Sequence, residues 1–199
     1  MRHVDKTLRE TPSQTAGPYV HIGLMPQHAG LEVLPDDLGQ IIASSTVPGH
    51  RITVSGCIFD GLGVPVTDAL IEVWQADSTG TYPGQGAVPE GFHGWGRYAP
   101  DVESGVYSFQ TIKPGTVIQP DARVAAPHLN IWLIARGINI GLHTRLYFDD
   151  EVSANANDPV LAQVSDTSRQ STLIAMGNGT DYRFDIRLQG DGETVFLDF

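Results

Sequence analysis

Seven histidines, one cysteine and a short run of carboxylates are the side chains here that could hold a metal or move a proton. Their spacing decides how far that chemistry goes. His128 and Asn130 flank Leu129 in an apolar run, and on a strand both would point to one face. A metal-binding pair at that spacing needs two imidazoles, and this face offers one. His3, His21, His28, His50, His93 and His143 show no ligand spacing and read as surface or turn residues. Cys57 stands alone, which excludes an internal disulfide and a multi-cysteine zinc or iron–sulfur site within one chain. Asp149, Asp150 and Glu151 could attract a hard cation, but adjacent carboxylates more often form a solvated loop. Arg136 falls on the same alternating face as His128 and Asn130, where the ordinary fate of an arginine is a surface ion pair.

These residues sit in a chain of 199 residues, enough for one domain with a proper core and cramped for two. Twelve basic against 23 acidic residues give a formal charge of −11, which repels phosphate backbones and anionic lipid surfaces. Nucleic acid and membrane partners are therefore not expected. The same field disfavours an anionic substrate at long range, so such a substrate would need a locally placed arginine. No apolar run approaches the length of a membrane span. Met1 to Asp5 lacks the apolar stretch of a secretory signal, and a cytoplasmic location is expected.

Positioning falls to short elements. Gly and Pro number 22 and 13, and they separate brief apolar stretches, the pattern of an all-β sandwich or barrel. Arg51 to Ile58 alternates along Ile52, Val54 and Ile58, and Asp60-Gly61-Leu62-Gly63 supplies a hairpin turn. Ala69 to Gln75 is the next strand, and its Glu72-Val73-Trp74-Gln75 stretch taken alone is an amphipathic strand packed around Trp74. Further strands are expected at Val106 to Phe109, His128 to Arg136, Thr144 to Phe148 and Tyr182 to Leu188. Asp158-Pro159 fits the start of a short helix through Val160, Leu161 and Val164. A second short helix is expected near Arg169 to Ala175. The expected architecture is a single domain over 1–199, with an extended N-terminal arm and loops in 1–50. A β-sandwich core of mainly antiparallel strands and one or two short helices fills 51–199.

The segment Val54, Gly56, Ile58, Gly63, Val66, Leu70, Ile71, Glu72, Val73, Gly80 and Tyr82, taken whole, resembles the signature of the intradiol ring-cleavage dioxygenase family. Further likeness runs through Thr11-Pro12-Ser13-Gln14-Thr15-Ala16-Gly17-Pro18-Tyr19, Thr111 to Gly115, Ala135 to Asn139, His143 to Phe148 and Tyr182 to Ile186. The resemblance implies a β-sandwich and a non-haem Fe(III) held by two tyrosinates and two histidines. Tyrosinate is a hard anionic oxygen donor that favours ferric iron. Tyr82 matches the first tyrosine and His128 the first histidine. Val117 stands where the second tyrosine is expected and cannot ligate, and Asn130 replaces the second histidine. Ala125 lies near an arginine position of catalytic chains and supplies no charge. Tyr82, Val117, His128 and Asn130 are thus vestigial ligand positions, with Tyr82 and His128 expected to be a buried hydroxyl and a core imidazole.

By the same resemblance, Fe(III) is expected in a homologous beta chain, the partner in an α/β hetero-oligomer. That assembly would use O2 to open a catechol, 3,4-dihydroxybenzoate, between its hydroxylated carbons, giving 3-carboxy-cis,cis-muconate. Arg136, Thr15, Gly17 and Pro18 are expected to reach the partner's pocket, where a guanidinium suits a substrate carboxylate. Two other readings remain: a non-enzymatic β-sandwich binding module that kept the scaffold, and an autonomous dioxygenase using other ligands.

Overall fold

The computed structural model describes residues 14–17 and 19–198. Helix α1 (Tyr19–Leu24) precedes strands β1 (Arg51–Phe59), β2 (Leu70–Gln75), β3 (Trp95–Tyr98), β4 (Val106–Ile112), β5 (Val117–Ile118) and β6 (Val124–Ala125). Then follow β7 (His128–Ile134), β8 (Leu142–Phe148), helices α2 (Val152–Asn155) and α3 (Thr167–Gln170), and β9 (Ile174–Gly177), β10 (Asp181–Arg183) and β11 (Ile186–Arg187). In one layer β1 pairs antiparallel with β4 and parallel with β10 and β11. In the other, β2 lies antiparallel between β3 and β7, and β7 pairs antiparallel with β8. β9 joins the layers by pairing with β8 and β10. This is the all-β sandwich expected from the sequence.

Alternation along the strands fills the space between the layers. Ile52, Val54 and Phe109 from one layer meet Ile71, Val73, Leu129, Ile131 and Leu133 from the other in a single core cluster. Ile42 and Val47 from the first fifty residues are buried in the same cluster. Gln75 is fully buried and stitches the layers: its amide donates to the Ile112 carbonyl at 3.0 Å and accepts from the Thr111 hydroxyl at 2.7 Å. A buried amide satisfied on both sides locks register without the cost of an unpaired polar group.

Several elements differ from their sequence expectation for reasons visible in the packing. Asp158 does cap a turn, accepting from Val160 N at 2.8 Å and Leu161 N at 2.9 Å, but that turn is a single 3-10 stretch, Leu161–Gln163. The following helix starts earlier than expected because Asp166 caps it through Ser168 N, and Ile174 and Ala175 become strand beside β8. The first fifty residues contain α1 within the stretch read as extended. β7 stops at Ile134, so Arg136 lies in the turn beyond it. No helix among the described residues is long and apolar enough to cross a membrane.

The last strand is split into β10 and β11. Between them the Asp185 carboxylate accepts from Cys57 N at 2.8 Å, so a side chain replaces the backbone partner that a continuous ladder would supply. The alternation survives, with Tyr182, Phe184 and Ile186 all buried. At the split the Phe184 carbonyl accepts from the Tyr107 hydroxyl and presses against Gly56. A Cβ on Gly56 would stand 1.8 Å from that oxygen. Gly56→Ala is therefore expected to cost at least about 2 kcal/mol of stability by forcing the two backbones apart. Chemical denaturation checks this, and a change below roughly 0.5 kcal/mol would contradict the close approach.

Candidate functional site

Two loops bring Tyr82 and Val117 together. The loop after β2 is built on buried Asp77, whose carboxylate accepts from Thr79 N at 2.8 Å and Thr81 N at 3.0 Å. Its backbone carbonyl accepts from Gly80 N at 3.0 Å and Gly115 N at 2.9 Å, which ties the loop to the one entering β5. Contact is so close that a Cβ on Gly80 would lie 1.8 Å from the Thr116 carbonyl oxygen. Gly80 also has φ +87, a conformation that glycine adopts at little cost. The result is a cleft of about 440 Å³ lined by Tyr82, Val117, Ala125, His128 and Arg145 among others. The sequence-expected positions Tyr82, Val117 and His128 thus share one cleft, and Asn130 adjoins it through Tyr82.

Inside that cleft the polar groups form one directed hydrogen-bond chain. The Ala126 carbonyl can only accept, so the 2.6 Å contact assigns the His128 proton to Nδ1 and leaves Nε2 as an acceptor. Tyr82 lies 3.2 Å from that Nε2 and donates to it. Asn130 Nδ2 donates in turn to the Tyr82 oxygen at 2.8 Å, and Arg145 Nε donates to Asn130 Oδ1 at 3.0 Å. The chain therefore runs Arg145, Asn130, Tyr82, His128, Ala126. Trp74 stacks on Tyr82 with ring centroids 5.7 Å apart, and the Trp74 carbonyl takes a further bond from Asn130 at 3.1 Å.

This arrangement does not fit ferric iron. Burial raises the Tyr82 hydroxyl above the ordinary phenol range, against lowering by Asn130 and Arg145, so it stays a phenol. His128 is pushed down to about 4, chiefly by burial and then by the Arg145 charge, which keeps its imidazole neutral with Nε2 already engaged. Val117 carries no donor atom, and the Asn130 oxygen already serves a guanidinium. A fixed positive charge beside the ligand positions opposes a trivalent cation further. Among the described residues, no three His, Cys, Asp or Glu side chains gather as a metal site would require.

Arg145 is the residue that sequence reasoning missed. It pairs with Asn130 across β7 and β8, and the available signal was its alternation in β8, where it stands on the Asn130 face.

The other expected residues gather elsewhere. Thr15 Oγ1 accepts from Gly137 N at 2.8 Å, and Arg136 Nε pairs with Asp68. Ala16, Gly17, Val20, Asp68, Ile134 and Arg136 line a small cavity of about 190 Å³. Arg136 is 73% exposed. Pro18 and the Thr11 to Ser13 part of the arm motif lie outside the described residues. His128 and Arg136 are eight positions apart along β7 and its extension, roughly 25 Å at strand rise. Arg136 therefore cannot act on its own chain's cleft.

A sandwich with a tyrosine and a histidine facing one cleft, and with the signature segment folded as a strand into a glycine turn, defines the class. The chain belongs to the intradiol ring-cleavage dioxygenase family: a family profile described as Dioxygenase matches residues 32–190. It is 48% identical to the protocatechuate 3,4-dioxygenase alpha chain of Pseudomonas putida over 196 residues, covering 96% of this chain and 98% of that one. It is also 32% identical to the protocatechuate 3,4-dioxygenase beta chain of Burkholderia cepacia over 161 residues, covering 73% of this chain and 67% of that one. Hydroxyquinol 1,2-dioxygenase from Pseudomonas putida DLL-E4 shares the fold, with a TM-score of 0.58 and 24% identity over 79% of this chain and 62% of that structure.

The hydrogen-bond chain has a pH signature. Folded His128 takes a proton only near pH 4, whereas an unfolded histidine takes it near 6.5. Between those values the unfolded state binds the extra proton, so stability is present above about pH 6.5 and is lost as pH falls towards 4. The loss attributable to this group is up to about 3 kcal/mol. His128→Gln is expected to flatten the slope of unfolding free energy against pH in that window. An unchanged slope between the two proteins would show that His128 is not held neutral.

Proposed function

We propose that this chain is the alpha subunit of a protocatechuate 3,4-dioxygenase, active as part of an α/β assembly in which the homologous beta chain holds Fe(III). The observation that carries this reading is the separation of two residue groups along β7 and the turn that follows it. The ligand positions are closed on themselves by Arg145, while Arg136 projects from the far end with Thr15 and Gly17 around it. Similarity over nearly its whole length, at 48% identity, to a chain named as an alpha subunit supports the reading.

Activation of the catechol toward dioxygen is the chemistry that ferric iron supplies when bound in the partner. This chain's own residues supply charge and enclosure. The chain carries a net −11, so an anionic aromatic substrate needs a local cation, the role this reading assigns to Arg136. Its planar guanidinium matches a carboxylate in shape and charge. Asp68 engages Nε and fixes the direction in which the side chain leaves the turn. Thr15, holding Gly137 N, and Gly17, in the same cavity, shape the backbone around that arginine. Pro18 belongs to the same proposed group by its place in the motif.

Co-expression with a homologous chain that has both tyrosines and both histidines is expected to yield a coloured complex that cleaves protocatechuate. Pure alpha chain should bind little iron. In the assembled enzyme Arg136→Ala is expected to lower kcat/KM by at least about tenfold, roughly 1.4 kcal/mol of transition-state stabilisation, without releasing iron. Wild-type kinetics in that variant would return Arg136 to a surface ion pair, and stoichiometric ferric iron with ring cleavage by the pure chain would remove the subunit reading.

A further inference from the structure

The cleft that holds Tyr82 and His128 is graded from rim to floor. Gln85, Ile118 and Pro120 stand exposed at its rim, whereas Tyr82, Ala125 and His128 are buried at its floor. Hydrogen bonds satisfy the floor without filling the space, and the about 440 Å³ that remains falls in the size range of pockets for small organic ligands. Of the described residues lining it, Arg145 alone carries a formal charge at neutral pH. In a chain of net −11, a cleft whose one charge is positive is set apart from the rest of the surface. Burial and then the Arg145 charge push His128 down, while burial raises the Tyr82 and Tyr147 hydroxyls against that same charge. Asp158, the carboxylate next along, is fully buried behind Tyr147 and does not line the cleft. It accepts from Ala126 N, Val160 N, Leu161 N and the Tyr147 hydroxyl at 2.8 to 3.0 Å, so its charge is engaged there.

The lining says what such a cleft would hold. β5, β6 and the turn between them contribute an apolar wall of Val117, Ile118, Pro120 and Ala125. Val117, which stands at an expected ligand position, makes that position part of the wall. A cation set beside an apolar wall selects a ligand with both parts, a carboxylate and a small ring. An inorganic anion would leave the wall in water, and a neutral ring would leave the guanidinium without a counter-charge. A guanidinium presents five N–H donors in a planar fork, enough for its bonds to Asn130 and Tyr147 and for a carboxylate as well.

We propose that this cleft is a binding site for a small aromatic monocarboxylate, its carboxylate on Arg145 and its ring against Val117 and Ala125. The site is built by this chain alone, so it stands or falls apart from the subunit reading above. It is also separate from the Arg136 group, which lies beyond the other end of β7.

Titration of the purified full chain with benzoate, followed by NMR, is the test. A Kd of about 1 mM or tighter is expected, the scale of one charge-assisted contact and a partly buried ring. Benzyl alcohol keeps the ring and drops the charge, and inorganic phosphate keeps the charge and drops the ring. Each is expected to bind at least about tenfold more weakly than benzoate. Arg145→Gln keeps a donor for Asn130 and removes the charge, and is expected to weaken benzoate binding by at least about tenfold. Val117→Trp fills the cleft and leaves the Arg145, Asn130, Tyr82 and His128 bonds in place, so it is expected to abolish benzoate binding in a chain that thermal denaturation shows to be folded. It decides the question alone if Arg145→Gln does not fold. Absence of saturable benzoate binding up to about 10 mM overturns the proposal. Benzoate bound unchanged by Val117→Trp sits elsewhere and overturns it too, and phosphate bound as tightly as benzoate overturns the aromatic ligand.

Discussion

The strict alternation of β7 is the constraint on which the molecule depends. Leu129, Ile131 and Leu133 are buried at 0 to 1% exposure in the core between the layers, so His128, Asn130, Trp132 and Ile134 have no choice but the opposite face. A slip of one residue would exchange an apolar core for an imidazole, an amide and an indole. The hydrophobic core therefore fixes the line along which the ligand positions, Trp132 and the Arg136 turn are arranged. Function is read along one edge of a packing solution.

At the ligand end, the loss of iron chemistry is more than the absence of donors. A phenol, an imidazole and an amide left in a buried cleft would each cost stability if unsatisfied. Asn130 solves this by having both a donor and an acceptor: it gives a proton to Tyr82 and takes one from Arg145. A second histidine in that position, neutral and with one proton, could not bridge a phenol and a guanidinium in the same two directions. The guanidinium supplies fixed charge beside the positions that the family resemblance marks as iron ligands. The cleft is thus a satisfied polar network that preserves the shape of the face without its chemistry.

Much of this was legible in the sequence, and the limits are physical. The sandwich followed from short alternating runs between glycine and proline turns, and the clustering of Tyr82, Val117 and His128 followed from the resemblance of the signature segment. Arg145 was not legible, because an arginine alternating in a strand looks like any solvent-facing cation until its partner Asn130 is known to lie opposite it. The split between β10 and β11 was hidden for a similar reason. It depends on the Asp185 carboxylate reaching Cys57 N, 128 positions away in sequence. α1 escaped notice because it has one basic residue in its last turn and no acidic residue in its first, so the local charge signal was weak.

The geometry also explains why a chain without an iron site would keep so much of the ligand cleft. Collapse of that cleft would leave a phenol, an imidazole and an amide without their partners and remove the Tyr82 ring stacked on Trp74. A stable hydrogen-bonded network costs less than rebuilding the surface around a void. Tyr82, Asn130, His128 and Arg145 are accordingly structural members of the fold, holding the loop after β2 against β7 and β8.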